Sequence, residues 1–246
     1  METFYLTDTG KVREHNEDNV IILNNDKGEY LLAVADGMGG HKAGEVASAI
    51  AINHLTEEFY NLDSIGDKDS AVEFLRNIVT EMNQKIFEYT KENPDSKGMG
   101  TTFVCAIKTN DYLLYGNIGD SSGFVIKNHK IHKVTKDHTL VNLLVSTGEL
   151  TPEEAKYHPR KNVLMRALGA NNPIDIDIFD VDVKNDGILL CSDGLTNMIT
   201  EEQIERVLNE EATAQEAVEK LIRKANARGG NDNISIAYLK RESGDV

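Results

Sequence analysis

The sequence predicts an α+β fold in which two antiparallel β-sheets lie face to face and helices cover both outer sides, a four-layer αββα sandwich. Short apolar runs of strand length occur at both ends of the chain, with helical patterns between them. Roughly ten strands and four long helices cannot all be buried in a single pair of layers. No stretch has the composition of a linker, so we expect residues 1–246 to form one domain.

The composition argues against several classes of protein. A net charge of −15 disfavours binding to nucleic acid or to anionic membranes. No apolar stretch of spanning length, basic leader or lipidation signal is present, and we therefore expect a cytoplasmic protein. We also expect it to be a monomer. Cys105 and Cys191 lie in apolar runs, which favours reduced core thiols over a disulfide or a nucleophile.

The first third of the chain reads as three strands followed by two helices. The predicted strands are Thr3–Asp8, Val20–Leu23 and Glu29–Ala35. Apolar residues at helical spacing predict one helix over residues 42–60 and another around 71–86, which stops before Asn93 and Pro94.

Strand patterns dominate the middle of the chain. Short turns separate four runs, which predicts an antiparallel meander of Thr101–Lys108, Tyr112–Ile118, Gly123–Lys127 and Lys130–Thr135. The segment from about 140 to 168 is polar and irregular apart from a capped helix start at Thr151. We interpret that segment as a mobile flap over a surface site.

Strands return at Asp175–Val183 and Gly187–Ser192 and again at Asn233–Leu239, which we expect to share a sheet with the first strand. Capping boxes at Thr200 and Thr213 open two helices before that last strand. The alternating aspartates from Asp175 to Asp182 indicate the exposed face of an edge strand rather than a calcium loop.

Four aspartates share one local setting, the end of a strand beside glycine. Asp36 and Asp193 each close an apolar run and precede glycine, Asp120 follows glycine, and Asp232 comes just before the last strand. If these strand ends meet at one rim, the carboxylates would repel one another unless cations were bound. Oxygen ligands without a His or Cys cluster favour Mg²⁺ or Mn²⁺ over zinc.

The glycines that follow Asp36 have two other interpretations. A dinucleotide-binding loop would need Gly37, Gly39 and Gly40 to approach a pyrophosphate, beside which the Asp36 carboxylate would be repulsive. An ordinary Asp-Gly turn is common, but the same setting recurs at Asp193. We therefore favour a metal site, in which the Gly37 carbonyl lies next to Asp36.

A pair of divalent cations about 3.5–4 Å apart can activate a water and hold a phosphoryl group for in-line displacement. Such chemistry also uses a guanidinium to bind phosphate oxygens and a proton donor for the leaving oxygen. Arg13 is the candidate for the first role and His41 for the second. Taken alone, Arg13 with Glu17 and Asp18 is better explained as a solvated ion-paired loop. For His41 alone, an ordinary surface histidine at a helix start is at least as simple an interpretation.

Eight ordered segments extend these patterns over nearly the whole chain. They are Gly10–Asp18, Val34–Glu45, Gly98–Thr102, Gly116–Ser121, Asp137–Val141, Arg166–Gly169, Leu190–Leu195 and Asn231–Ile234. In these segments the chain resembles the metal-dependent protein serine/threonine phosphatases of the PPM, or type 2C, family in its compact bacterial form.

This resemblance implies a role for each candidate. Asp36 would bridge two Mn²⁺ or Mg²⁺ ions, and the Gly37 carbonyl, Asp193 and Asp232 would complete the ligands. Glu17 and Asp18 would act mainly through waters, and Asp120 with Asp193 could hold a third, weaker ion. Arg13 matches the phosphate-binding arginine, and residues 140–168 match the flap.

Two positions depart from the family pattern. Met38 stands where many eukaryotic members carry a histidine proposed as general acid, so His41 or a metal-bound water is the expected proton donor. Ser122 stands where an arginine usually follows the Gly-Asp-Ser sequence.

The residues and the resemblance together predict hydrolysis of phosphoserine and phosphothreonine on proteins. The resemblance further implies a cognate Ser/Thr kinase whose phosphorylation this protein reverses. One alternative is a catalytically weak phosphoprotein-binding regulator of the same fold, which should lack one of Asp36, Asp193 or Asp232. Another is a phosphohydrolase acting on small molecules or phosphotyrosine. All three aspartates are present, which favours the enzyme.

Overall fold

The computed structural model describes residues 1–40 and 43–242. Within them lie two antiparallel sheets. The five-stranded sheet has the order β1-β11-β10-β7-β8, with strands β1 Glu2–Asp8, β11 Ile234–Lys240, β10 Gly187–Cys191, β7 Ser122–Lys127 and β8 Lys130–Lys133. The six-stranded sheet has the order β2-β3-β5-β6-β9, with strands β2 Asp18–Asn24, β3 Tyr30–Met38, β5 Phe103–Lys108, β6 Leu113–Ile118 and β9 Asp177–Val181; the short β4 Gly100–Thr101 pairs with the end of β3.

Helices cover the outer face of each sheet. The long helices α1 Ala43–Asn61 and α2 Lys68–Glu92 pack on the six-stranded sheet, and α6 Glu201–Glu210 and α7 Ala214–Ala227 pack on the other. The described residues also form three short α-helices, α3 Leu140–Ser146, α4 Pro152–Tyr157 and α5 Asp193–Thr196, and one 3₁₀ turn, Pro94–Ser96. The predicted four-layer sandwich is confirmed.

Three apolar clusters lie between the layers, one between each sheet and its helices and one between the two sheets. Strand β3 contributes to two of them, because Leu31 and Ala33 face the helices while Leu32 and Val34 face the second sheet. Alternate residues of a strand point to opposite faces, so a strand covered on both sides is apolar throughout. Along the described part of the chain, no helix has both the length and the apolar character needed to span a membrane.

The predicted pairing of the first and last strands is confirmed, since Glu2 lies opposite Lys240 and Asp8 opposite Ile234. The predicted edge position of the strand with alternating aspartates is also confirmed, because β9 ends its sheet. There Asp180 pairs with Lys68, and Asp182, just beyond the strand, pairs with Lys127.

The predicted meander is wrong at its centre. Strand β6 pairs with β5 and β9, whereas β7 pairs with β10 and β8 in the other sheet. The chain crosses between sheets at Gly119, whose φ of +102° is open to glycine but strained for other residues. Turn length alone predicts adjacency, but it does not determine the sheet that the next strand joins.

The turn predicted directly after Asp36 begins later than expected. Strand β3 continues through Gly37 and Met38, which pair with Thr101 and Gly100 of β4. Asp36 is therefore held within a strand rather than at its end.

Candidate metal centre

A cavity of about 350 Å³ at one rim of the sandwich gathers most of the predicted site residues. Its lining includes Arg13, Glu17, Asp36, Gly37, Asp120, Asp193 and Asp232, together with Asn162 and Leu164 from the segment 140–168. Asp18 lies next to this cavity, opposite Asp36 in the β2–β3 register. His41 is outside the described residues.

Asp36 is fixed through its backbone on both sides. Its amide donates to Thr102 Oγ1 at 3.0 Å, and its carbonyl accepts from the Thr102 amide at 2.9 Å and from Thr101 Oγ1 at 3.0 Å. These bonds occupy the backbone amide and carbonyl of Asp36, so the carboxylate is the group left to bind a ligand. A backbone held this firmly presents the side chain in one direction.

Gly37 is held where no side chain would fit. An added Cβ would overlap the Gly44 carbonyl oxygen at the start of α1 and would lie 2.5 Å from the Glu17 carbonyl oxygen. The Gly37 amide donates to that Glu17 oxygen at 3.1 Å, which also accepts a hydrogen bond from Ser48 Oγ. Close packing, rather than an unusual φ angle, therefore accounts for glycine at this position.

Two carboxylate oxygens at the site are buried without a partner. Asp18 accepts from Ser192 Oγ at 2.7 Å through Oδ2, and Asp193 accepts from Asn197 Nδ2 at 3.0 Å through Oδ2. The Oδ1 atom of each has no hydrogen-bond partner among the described residues. Buried polar atoms are normally satisfied, so these two fit a ligand that the protein atoms do not supply.

The electrostatics support a cationic ligand. Burial raises the pKa of Asp36 well above its ordinary value, and the Asp18, Asp193, Asp120 and Asp232 charges raise it further. Burial is also the main cause that raises the pKa of Asp18 to about 7 and that of Asp120 to about 7. It likewise raises the pKa of Asp193, again with help from Asp232. Carboxyls crowded in this way regain their charge when a cation is bound.

The donor set consists of carboxylate and carbonyl oxygens, which fits Mg²⁺ or Mn²⁺. Along the described ranges, no three acidic or histidine side chains already converge on one cation position. Neighbouring carboxylates repel one another, and turning them toward a common point costs free energy until an ion offsets that repulsion.

Arg13 lies at the mouth of the cavity. Its Nη2 donates to Asp232 Oδ2 at 2.8 Å, and half of its side chain is exposed. The guanidinium therefore lies beside the acidic residues of the cavity. An exposed pair of this kind contributes little to stability, so Arg13 can exchange Asp232 for another anion at small cost.

Three buried polar residues support the site, although no role was predicted for them. Thr102 holds the Asp36 amide, and Ser192 bridges Asp18 to the Ser235 amide. Asn233 accepts from the Glu17 amide through Oδ1 and donates to the carbonyls of Thr9 and His15. A polar residue inside an apolar strand pattern is the signal that could have identified them.

His138 connects the Asp120 turn to the segment 140–168. The Gly119 amide donates to His138 Nδ1 at 3.1 Å, so the ring proton lies on Nε2 and is donated to Asp177 Oδ2. Arg166 Nη1 donates to Asp177 Oδ1 at 2.6 Å. Met165 is joined to the same turn through its amide, which donates to the His138 carbonyl.

The two departures from the family pattern have different surroundings. Met38 lies at the cavity edge and packs close to Gly100. Ser122 is fully buried, and its hydroxyl has no partner among the described residues. Lys133 of the neighbouring strand β8 lowers the pKa of Asp120 and so opposes the effect of burial. A positive side chain therefore acts on Asp120 even though position 122 carries serine instead of the usual arginine.

Comparison with known proteins gives one consistent family. The family profile "Protein phosphatase 2C" matches residues 10–235. The chain is 40% identical over 243 residues to "Serine/threonine phosphatase stp" of Listeria monocytogenes, covering 98% of this chain and 96% of that protein. It is 36% identical over 247 residues to "Protein phosphatase PhpP" of Streptococcus pneumoniae, covering 100% of both chains.

A solved structure agrees with these sequence matches. The serine/threonine phosphatase Stp1 from Staphylococcus aureus superposes with a TM-score of 0.91 at 37% identity. The match covers 98% of this chain and 95% of that one.

Proposed function

We propose that this chain, which belongs to the protein phosphatase 2C family, hydrolyses phosphoesters at the cavity around Asp36. The family and its named relatives make the chain a protein serine/threonine phosphatase. The observation that carries this proposal is the convergence of Asp36, Asp120, Asp193 and Asp232 in one cavity with Arg13. A phosphate monoester needs charge neutralisation and a guided water, and this cavity has the residues for both.

The family generally depends on Mn²⁺ or Mg²⁺, and we infer that two such ions are held here, with a weaker third. Asp36, the Gly37 carbonyl, Asp193 and Asp232 would hold the two ions, and Asp120 together with Asp193 would hold the third. Glu17 and Asp18 would act through water. The bound ions would supply a more acidic water and positive charge opposite the phosphoryl oxygens.

Arg13 would orient the substrate. Its guanidinium can bind two phosphate oxygens at once, and it lies at the mouth through which a phosphorylated side chain would enter. On substrate arrival Arg13 would exchange Asp232 for the phosphate, which releases Asp232 Oδ2 for a cation, while Oδ1 accepts from the Asn233 amide at 2.9 Å. Asn162 and Leu164 would border the same entrance from the flap at about 140–168.

The leaving oxygen also needs a proton. Met38 has no proton to give, and Cys191 is a buried thiol whose pKa is raised to about 12 by burial. His41 stays our prediction for the donor, from a position outside the described residues. A water at the cation site is the other source.

The substrates are phosphoproteins, and we infer that a Ser/Thr kinase which phosphorylates them is the functional counterpart. We further propose a cytoplasmic monomer in which residues 1–246 form one catalytic domain. A regulator that binds phosphoproteins without hydrolysing them is not favoured, since Asp36, Asp193 and Asp232 are all retained and all line one cavity.

The experiment is hydrolysis of a phosphothreonine peptide and of p-nitrophenyl phosphate, each with Mn²⁺, with Mg²⁺ and with EDTA. We expect turnover with either ion, none in EDTA, and loss of turnover to background in Asp36→Ala. The matched control is Asp95→Ala, which removes an exposed aspartate outside the cavity. Full activity of Asp36→Ala in Mn²⁺ would refute the assignment of the site.

A further inference from the structure

Lys133, the last residue of β8, binds the Asp137 carboxylate through both of its oxygens. The Lys133 Nζ donates to Asp137 Oδ1 at 2.7 Å and to Oδ2 at 2.9 Å. The chain between the two residues is irregular, so no helix brings them together. The Lys133 side chain is 28% exposed and that of Asp137 is 26% exposed. Solvent therefore screens this pair less than it screens an exposed pair such as Lys68 with Asp180.

His138, the residue after Asp137, is bound to the turn that carries Asp120. The His138 amide donates to the Gly119 carbonyl at 2.9 Å. The Gly119 amide donates back to His138 Nδ1 at 3.1 Å. Gly119 is thus held through both of its backbone polar groups, and it directly precedes Asp120. A displacement of Asp137 and His138 would therefore move the Asp120 turn.

The strand register places Lys133 on the same face of its sheet as Ser122. Lys133 lies opposite Phe124 of β7, which is buried between this sheet and its helices. Ser122 is two residues from Phe124 and shares that face. Diagonal neighbours across two strands lie about 7–8 Å apart, within reach of a long side chain. A positive charge therefore reaches this position from β8, although Ser122 itself has none.

Asp120 responds to both members of the pair. Burial is the main cause that raises its pKa, the Asp137 charge raises it further, and the Lys133 charge lowers it. Asp120 and Asp137 are therefore like charges that act on each other, and Lys133 opposes their repulsion. Without Lys133, the Asp137 carboxylate would stand uncompensated beside Asp120.

We propose that Lys133 is a positioning residue of this phosphatase. By pairing with Asp137 it keeps His138 bound to Gly119, and it thereby holds the Asp120 carboxylate in place for a cation. The inference rests on the proposed function, because Asp120 needs a fixed position only if the cavity binds cations. Lys133 is not part of the lining of that cavity, so it acts through Asp137 and the turn.

The first test is amide hydrogen exchange of the full chain in EDTA, followed by NMR. We expect the Gly119 and His138 amides to exchange about tenfold faster or more in Lys133→Gln and in Asp137→Asn, which break the pair from either side. Lys133→Arg should leave the exchange unchanged, because a guanidinium also binds both oxygens of a carboxylate. The matched control is Lys136→Gln, which removes an exposed lysine from the same segment and leaves the pair intact.

The second test is a calorimetric titration of the same variants with Mn²⁺, without substrate. Removal of a nearby positive charge by itself tightens the binding of a cation, so a positional role predicts the opposite sign. We expect the Kd of the weakest Mn²⁺ site to rise about tenfold or more in Lys133→Gln, as is typical when a residue that orients a metal ligand is lost. Lys133→Arg and Lys136→Gln should leave this Kd unchanged.

Unchanged amide exchange in Lys133→Gln, an unchanged or lower Kd in that variant, or equal effects in Lys136→Gln would overturn the proposal. Faster exchange without weaker Mn²⁺ binding would also overturn it, since Lys133 would then contribute to stability alone. Thermal unfolding in EDTA verifies that each variant folds. If the unaltered chain bound no Mn²⁺, the proposed function would fail as well, whereas a negative result confined to Lys133→Gln would leave that function standing.

Discussion

The Arg13 side chain pairs with Asp232 in this structure, and in the proposed function it would pair with the substrate phosphate instead. Its 2.8 Å bond to Asp232 occupies an oxygen that a cation would need. Because the pair is exposed, solvent screens it, and a phosphate dianion on a nearby cation is a stronger partner. The ion pair seen here therefore keeps the guanidinium at the mouth of the cavity without locking it there.

We expect Arg13→Ala to raise KM for a phosphothreonine peptide by about tenfold or more, with a smaller change in kcat, because the interaction lost is one that anchors the substrate phosphate. The measurement is steady-state kinetics in saturating Mn²⁺. Arg76→Ala, an exposed change on α2, is the control and should leave both constants unchanged. An unchanged KM with a collapsed kcat would move Arg13 from substrate binding to the chemical step.

At the scale of elements, the site depends on how closely β3 approaches the start of α1. Gly37 and Gly44 face each other, and the Glu17 carbonyl lies within hydrogen-bond reach of the Gly37 amide. This contact brings a strand, a helix start and the β2 entry together behind Asp36. A methyl group at Gly37 would separate all three.

We expect Gly37→Ala to destabilise the chain by about 1–3 kcal/mol through overpacking and to remove most of the activity, because Asp36 and Glu17 must shift. The measurements are urea unfolding in EDTA, which excludes any effect of lost metal, and hydrolysis in Mn²⁺. Gly40→Ala is the matched control, since an added Cβ there has no described atom within 4 Å. Equal stability and activity of the two variants would contradict the close-packing explanation.

At the scale of the whole molecule, the acidic rim is a region where folding works against electrostatics. The carboxyl pKa values of Asp36, Asp18, Asp120 and Asp193 are all raised, chiefly by burial. A folded carboxyl with a raised pKa retains a proton that the unfolded chain releases. Without cations, stability should therefore fall as pH rises from about 4, where unfolded carboxyls titrate, to about 7.

We expect the metal-free chain to be more stable at pH 5.5 than at pH 8, and Mn²⁺ to stabilise it more at pH 8. Each unit of pKa difference is worth about 1.4 kcal/mol, so several kcal/mol are at stake across the cluster. Urea unfolding with EDTA and with excess Mn²⁺ measures both effects. Asp36→Asn should flatten the pH dependence and Asp95→Asn should not, although each removes one negative charge. A Mn²⁺ effect independent of pH would contradict this linkage.

Much of the fold could be predicted because the signals are local. Alternation and helical spacing identified every long element, and capping residues located the starts of α4, α6 and α7. The meander failed at Gly119 because the choice between two sheets depends on which apolar face finds a partner. The polar supports Thr102, Ser192 and Asn233 received no predicted role, because their partners are distant in the chain.

The sequence by itself determined the chemistry available to this protein: aspartates beside glycines at strand ends, a nearby arginine, and no competing soft ligands. Only the tertiary structure decided which of these groups meet. It brought Asp36, Asp120, Asp193 and Asp232 to one rim of the sandwich and placed Arg13 beside them. Strand periodicity specifies the face on which a side chain lies, but the neighbour across the layer depends on packing between distant segments.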